Sequence, residues 1–207
     1  MKLRKFLISG LIISIAALLI WYFSEPSDEI KLIILDPGHG ADDVGCSYDD
    51  INEKDINYDI ALRLKKLLNE LDYKVILTHD DGEYVSPYAR AKFANRKGGD
   101  LYISIHQNAA DNTDAAGIET WYSLRNPRSI RLAEMIQGRL IADTGAENRG
   151  AKLTNSLIVI RETKMPSVLI ECGFLSNENE RDMLNDENYR QKIVTSIAQA
   201  VYDFAVN

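Results

Sequence analysis

Residues 32–40 read LIILDPGHG, an uninterrupted apolar run followed by a turn. A short apolar run that ends at Pro and Gly is typical of a strand buried on both faces. His39 follows this strand directly. In an open α/β sheet, the loops beyond the strand ends usually carry the functional site. The stretch therefore predicts a buried strand with a candidate site residue at its end.

The rest of the chain from Lys31 alternates between strand and helix patterns. Apolar residues recur at helical spacing from Ile56 to Leu71, with Asn52 as the expected N-cap. Further strands are predicted at 75–77, 101–105, 118–122, 157–160 and 168–170, and further helices at 88–96, 130–141, after a capping box at 177–180, and at 193–204. This alternation predicts a single α/β domain over residues 31–207. We expect three layers, with a mostly parallel or mixed sheet flanked by helices.

The N-terminal residues 1–23 have a different character. Three basic residues precede an uncharged apolar run from Phe6 to Phe23, which is close to the ~20 residues that a membrane-spanning helix needs. Basic residues before the run and acidic residues after it predict a transmembrane anchor with the domain outside the cytoplasm. The alternative is a cleaved signal peptide, although the run lacks a small-residue cleavage site. Residues 24–30, with Pro26, are interpreted as a linker.

Composition excludes some classes of function. The chain has 207 residues, 45% of them hydrophobic and 27% charged, which is typical of a globular domain with an appendage. The net charge of −7 argues against a nucleic acid partner, because phosphate binding needs a basic surface. Cys46 and Cys172 form no CxxC pattern, so neither a disulfide scaffold nor a thiolate zinc site is indicated. A single bridge between them remains open.

Two histidines and two carboxylates stand where chemistry is expected. His39 and His106 each follow a predicted buried strand, although either one alone could be a structural, hydrogen-bonded histidine. Glu171 lies inside an apolar run, where a carboxylate is costly unless it is paired, metal-bound or catalytic. Glu53 begins the first amphipathic helix, which is also a common position for an acidic residue. Two histidines and one carboxylate match a catalytic zinc site, and a second carboxylate could serve as general base.

Five motifs resemble those of the amidase-3 family, the zinc-dependent N-acetylmuramoyl-L-alanine amidases. They occur in the order found in that family and span nearly the whole chain from Lys31. The motifs are DPGHG at 36–40, NEKD at 52–55, SIHQNA at 104–109, GIETWY at 117–122 and PSVLIECGFLSN at 166–177. Ala41 departs from the family's second glycine, and no departure affects a proposed ligand. His79 and Cys172 are expected to be structural.

The resemblance implies a role for each site residue. His39, Glu53 and His106 would bind one zinc ion, Glu171 would be the general base, and Asn108 would position substrate. The reaction would cleave the amide between N-acetylmuramic acid and the L-alanine of the stem peptide in peptidoglycan. A short anchored chain of this layout is most similar to spore-cortex amidases of the CwlD type, which act in muramic lactam formation.

Several alternatives remain open at this point. A growth or division amidase would share the same motifs, and a zinc carboxypeptidase or deacetylase would share the scaffold. A catalytically inactive wall-binding module would be expected to lack Glu171 or a zinc ligand, and all four residues are present. Because the chain shows no wall-binding repeat, we also expect a separate extracytoplasmic protein to activate or place it. Membrane tethering alone is the competing explanation.

Overall fold

A six-stranded mixed sheet forms the centre of the protein, whose computed structural model describes residues 29–206. The strands are β1 (Leu32–Pro37), β2 (Ser47–Tyr48), β3 (Ile51–Asn52), β4 (Lys74–Leu77), β5 (Leu101–Asn108), β6 (Ile118–Tyr122), β7 (Asn148–Leu153) and β8 (Ser167–Phe174). The sheet has the order β4-β1-β5-β8-β6-β7, and β2 pairs with β3 in a separate hairpin. The sequence predicted a mostly parallel or a mixed sheet, and the observed sheet is mixed.

Strand direction decides where the polar residues meet. Strands β4, β1, β5 and β8 run parallel to one another, whereas β6 is antiparallel to β8 and parallel to β7. The carboxyl ends of β1, β5 and β8 therefore lie at one edge of the sheet. The amino end of β6 lies at the same edge, because β6 runs in the opposite direction.

Helices cover both faces of the sheet. They are α1 (Glu53–Glu70), α2 (Pro87–Lys97), α3 (Arg128–Thr144), α4 (Ile158–Arg161), α5 (Glu178–Asn185) and α6 (Glu187–Val206). Side chains of α1, α3 and α6 pack with Ile33 and Leu35 in the larger core. Side chains of α2 and α4 pack with Ile34 on the opposite face. Successive strand residues point to opposite faces, so β1 contributes to both cores, and the three-layer expectation is confirmed.

A buried carboxylate ties the end of β1 to its neighbours. Asp36 is fully buried and accepts hydrogen bonds from Thr78, Tyr102 and Ser104 at 2.6–2.8 Å. The Arg90 guanidinium of α2 lies 3.1 Å from the same carboxylate. Burial alone would raise the pKa of Asp36, but Arg90 and the three hydroxyl donors outweigh it and lower that pKa. Asp36 is therefore held ionised inside the domain.

The prediction of a strand at residues 157–160 is wrong. Residues 158–160 belong to the single-turn helix α4, and Leu157 precedes it at the N-cap position. Arg161 N donates to Leu157 O, and Glu162 N donates to Ile158 O. Val159 and Ile160 are buried against the smaller core. A short apolar run does not distinguish a strand from one buried helical turn, and here packing decided between them.

Strand β7 was missed because its sequence, NRGAKL, lacks a period-two apolar pattern. It is an edge strand with partly exposed residues, and it is held by its pairing with β6. Edge strands often carry polar and charged residues, which weakens their signal in a sequence.

The predicted capping residues have different outcomes. Asn177 caps α5 as expected, because its side chain accepts from Glu180 N at 3.1 Å. The Glu180 carboxylate does not accept from the backbone N–H of Asn177, so the predicted capping box is incomplete. It accepts from the backbone N–H groups of Gly117 and Phe174, each at 2.7 Å. Asn52 occupies the N-cap position of α1 without a side-chain cap, and donates instead to Asp55 at 3.0 Å.

The predicted anchor at residues 1–23 and most of the linker at residues 24–30 lie outside the described residues. Within residues 29–206, no helix is long and apolar enough to cross a membrane. Cys46 and Cys172 are free thiols. Cys172 is fully buried in the larger core, so its predicted packing role is confirmed.

Candidate metal centre

The turn after β1 brings His39 to the sheet edge. His39 has a left-handed backbone with φ 66°, and Gly38 N donates to Ile105 O at 2.9 Å. A Cβ atom on Gly38 would lie 2.3 Å from the His106 ring, so only glycine fits at this position. Arg90 donates to the carbonyls of Pro37 and His39, which holds the turn against α2.

Glu53 lies between the two histidines at the start of α1. Its side chain is almost fully buried, with Oε2 3.2 Å from His39 Nε2 and Oε1 2.9 Å from His106 Nδ1. His39, Glu53 and His106 each offer one ligand atom, and these atoms lie within 4.8 Å of one another. The three predicted ligands are therefore brought together, although they come from three separate segments of the chain.

Backbone donors and a second carboxylate orient this cluster. Cys46 N and Gln107 N donate to Glu53 at 3.1 and 3.2 Å. Asp43 Oδ1 lies 2.9 Å from His39 Nδ1, the ring nitrogen on the far side from Glu53. Burial lowers the pKa of His39, but the contacts with Glu53 and Asp43 outweigh it and raise that pKa to about 9. A carboxylate on the second ring nitrogen is the usual partner of a metal-binding histidine.

Glu171 stands directly opposite His106 in the pairing of β5 with β8. Burial raises the pKa of this carboxyl to about 7, and the neighbouring carboxylates Glu53 and Glu119 contribute in the same direction. Its Oε2 atom is buried and has no hydrogen-bond partner within residues 29–206. Two imidazoles and one carboxylate are the donor set of a catalytic zinc site, so His39, Glu53 and His106 fit that metal. The unpaired oxygen of Glu171 is a candidate general base beside them.

Asn108 lies beside this group, and its amide is already engaged. Its Nδ2 donates to Glu119 Oε1 at 3.0 Å, and its Oδ1 accepts from Ala109 N at 2.8 Å. Glu119 is the residue of β6 that pairs with Glu171 in the antiparallel register. The structure therefore places all five predicted site residues at one edge of the sheet.

The Amidase_3 family, described as N-acetylmuramoyl-L-alanine amidase, matches residues 33–203. The chain belongs to this family. The amidase LytC of Bacillus subtilis (strain 168) is 37% identical over 179 residues, which cover 86% of this chain and 35% of LytC. The chain thus spans about a third of the length of the first curated relatives that it matches.

Two further relatives are shorter proteins. The germination-specific N-acetylmuramoyl-L-alanine amidase of Bacillus subtilis (strain 168) is 30% identical, with 83% of this chain and 78% of the relative covered. The solved CwlD amidase of Clostridioides difficile, in complex with the GerS lipoprotein, is 33% identical with a TM-score of 0.81. That comparison covers 86% of this chain and all of the CwlD chain.

Two acidic residues of this family member were missed as part of the site. Glu119 is a carboxylate inside the apolar strand β6, which is the same signal that singled out Glu171. Asp43 has no such signal, because it is an exposed residue in a turn and only the fold brings it to His39. His79, predicted to be structural, is buried and lies with Nε2 2.8 Å from Pro37 O.

Proposed function

We propose that this protein is a zinc-dependent peptidoglycan amidase that cleaves the bond between N-acetylmuramic acid and the L-alanine of the stem peptide. One observation carries the proposal: three metal-ligand atoms lie within 4.8 Å of one another. Glu171, with a buried and unpaired oxygen, stands beside them. An acyl-transfer reaction with water needs both a polarising centre and a base within reach of the same water.

Each residue then has a defined task. His39, Glu53 and His106 would hold one zinc ion per chain, and Asp43 would orient His39. A zinc ion held there would lower the pKa of a bound water toward ~7 and would polarise the scissile carbonyl. Glu171 accepts a proton from the attacking water and returns it to the leaving nitrogen of L-alanine. Its raised pKa, about 7, suits a group that must both accept and donate a proton. Asn108 positions the substrate.

The test uses the full-length protein with purified peptidoglycan, and mass spectrometry of the released peptides. Glu171→Gln should lower kcat by about 10²–10⁴-fold while zinc content stays unchanged, because the residue transfers protons without binding metal. His106→Ala should lose most of the zinc. Glu178→Gln, an exposed glutamate of α5, is the matched control and should behave as wild type.

Two results would overturn the assignment. Release of a C-terminal amino acid in place of a peptide beginning with L-alanine would indicate a carboxypeptidase. If the zinc-loaded wild type binds peptidoglycan but cleaves no bond, the protein is an inactive wall-binding module.

We further propose a role in maturation of the spore cortex, in which peptide removal precedes muramic lactam formation. The germination-specific relative and the CwlD structure support this choice. The alternative is a growth or division amidase, which would cleave the same bond. Muropeptide analysis of a deletion strain separates the two, because only the cortex role predicts the loss of muramic lactam.

Membrane attachment and a protein partner complete the proposal. Residues 1–23 are proposed to anchor the protein with residues 31–207 outside the cytoplasm. A partner is suggested by the CwlD amidase, which was solved in complex with the GerS lipoprotein. Protease protection of a C-terminal tag tests the orientation. A pull-down from the native envelope, with amidase activity measured before and after adding the recovered protein, tests the partner.

A further inference from the structure

A second charged group lies beside the candidate metal centre, on strands β6 and β7. Glu119 is nearly fully buried and receives four donors. Asn108 Nδ2 and Trp121 Nε1 donate to Oε1 at 3.0 and 3.1 Å. Arg149 Nε and Lys152 Nζ donate to Oε2 at 2.9 and 2.5 Å. One carboxylate is thus shared by two cations, which leaves one positive charge on this trio.

Both cations are held in place and remain accessible. The Arg149 guanidinium lies 4.8 Å from the centroid of the Phe174 ring, and the Lys152 ammonium lies 5.2 Å from that of Trp121. Their side chains are 31% and 32% exposed. An ammonium has three donors, and Lys152 gives one of them to Glu119. One cation would be enough to hold the Glu119 carboxylate in place, so the second cation is available to a ligand.

The strand register shows where Glu119 and its two cations lie relative to Glu171. Glu119 pairs directly with Glu171, and Trp121 pairs with Lys152, so these side chains share one face of the sheet. Strand β7 lies two strands from β8, which is about 10 Å at the usual ~4.8 Å strand spacing. An extended peptide covers that distance in about three residues. The cations therefore lie within the reach of a substrate whose scissile amide is at Glu171.

The charges of the substrate indicate which side of the scissile amide Arg149 and Lys152 would contact. In an intact muropeptide the lactyl carboxyl is part of the scissile amide and the acetylated sugars are uncharged, so the free carboxylates are on the peptide. Arg149 Nη1 donates to Ala116 O at 3.1 Å, while Nη2 has no partner within residues 29–206. A cation with free donors is suited to a carboxylate. Glu180, which accepts from Phe174 N, also lies near Arg149, so Lys152 is the more available of the two.

We infer that Arg149 and Lys152, held by Glu119, form a subsite for a free carboxylate on the peptide side of the scissile amide. This inference rests on the proposed amidase function for the identity of the substrate. It assigns Glu119 a positioning role, because Glu119 links the two cations to Asn108.

The test compares two probes on the full-length, zinc-loaded protein. One is N-acetylmuramoyl-L-alanyl-D-glutamate, and the other is the same compound with both glutamate carboxylates converted to amides. Calorimetry on a Glu171→Gln background measures binding without turnover. The acid should bind about tenfold more tightly than the diamide, since charge-assisted hydrogen bonds are the stronger ones. Lys152→Gln and Arg149→Gln should each reduce that preference to less than threefold, and Lys152→Arg should retain it.

Lys97→Gln is the matched control. Lys97 lies 5.4 Å from the Phe93 ring on α2, which is the same kind of contact away from the metal centre, and its loss should leave the preference unchanged. Equal weakening of both probes by Lys152→Gln would overturn the inference, because a purely structural cation does not distinguish acid from amide. Survival of the full preference in both variants would also overturn it. If the wild type cleaves neither probe, the proposed function fails, while the binding comparison still decides the subsite.

Discussion

At the scale of single residues, the candidate centre depends on carboxylates in unequal environments. Glu53 is buried between two histidines, and these contacts outweigh burial and lower its pKa. Glu171 has a buried carboxylate oxygen without a hydrogen-bond partner among the described residues, and burial raises its pKa. The same side chain is therefore suited to metal binding at one position and to proton transfer at the other.

The contact between Asp43 and His39 predicts an effect of Asp43 on zinc affinity. Asp43→Asn should weaken zinc binding by about tenfold, the lower end of the range for an outer partner of a metal-binding histidine, because Asp43 is exposed to solvent. Competition with a chromogenic chelator measures the change in the full-length protein. Asp42→Asn is the control, since Asp42 is an equally exposed neighbour. Equal zinc affinity in the two variants would remove Asp43 from the site.

At the scale of secondary structure elements, one buried charge network joins three strands and a helix. Asp36 of β1 receives donors from Ser104 of β5, from Thr78 just after β4 and from Arg90 of α2. Arg90 also holds the turn that carries His39. A buried charge that loses its partner is strongly destabilising, so this network joins the stability of the fold to the position of a proposed ligand.

Arg90→Ala should lower the free energy of unfolding by about 3–5 kcal/mol at pH 7, because it leaves the Asp36 carboxylate in the interior without a countercharge. Urea denaturation followed by circular dichroism measures this change. Arg96→Ala, an exposed arginine on the same helix, is the control and should change stability by less than about 0.5 kcal/mol. A similar loss in both variants would contradict the role given to the network.

The network also predicts a pH dependence. The pKa of Asp36 is lowered in the folded state, so its stabilising contribution is complete above the ordinary value of 3.8. It is lost as the pH falls through the lowered folded value. The difference in unfolding free energy between wild type and Asp36→Asn should therefore be constant from pH 7 to about pH 5 and should shrink below about pH 4. A difference in unfolding free energy that grows as the pH falls would contradict a lowered pKa of Asp36.

At the scale of the whole molecule, the proposed ligands lie on three separate segments that only the folded chain brings together. His39 follows β1, Glu53 begins α1, and His106 belongs to β5. An unfolded chain holds no such preformed site, so metal binding and folding are linked. Zinc should stabilise the protein as a whole.

Free zinc at 100 times its dissociation constant should raise the free energy of unfolding by about 2.7 kcal/mol. His106→Ala should abolish this increment. His79→Gln should retain it, because the third histidine contacts a backbone carbonyl and lies outside the ligand cluster. Thermal unfolding with and without zinc measures the difference. An equal increment in the two variants would place the metal elsewhere.

The sequence by itself determined the α/β class and the candidate site residues. Buried strands produce apolar runs and helices produce a 3.6-residue period, so local pattern was sufficient for most elements. The stripe at Ile193, Ile197 and Val201 is buried in α6 as its spacing indicated. His39, His106 and Glu171 stood out because polar groups at the ends of apolar strands, or inside them, need a reason.

The tertiary structure alone decided which distant groups meet. The direction of β6 places Glu119 beside Glu171, and the edge pairing of β7 brings Arg149 and Lys152 to Glu119. Packing also made one helical turn of residues 158–161, where the apolar pattern alone fitted a strand. These outcomes depend on contacts between residues far apart in the chain, and such contacts leave no period in the sequence.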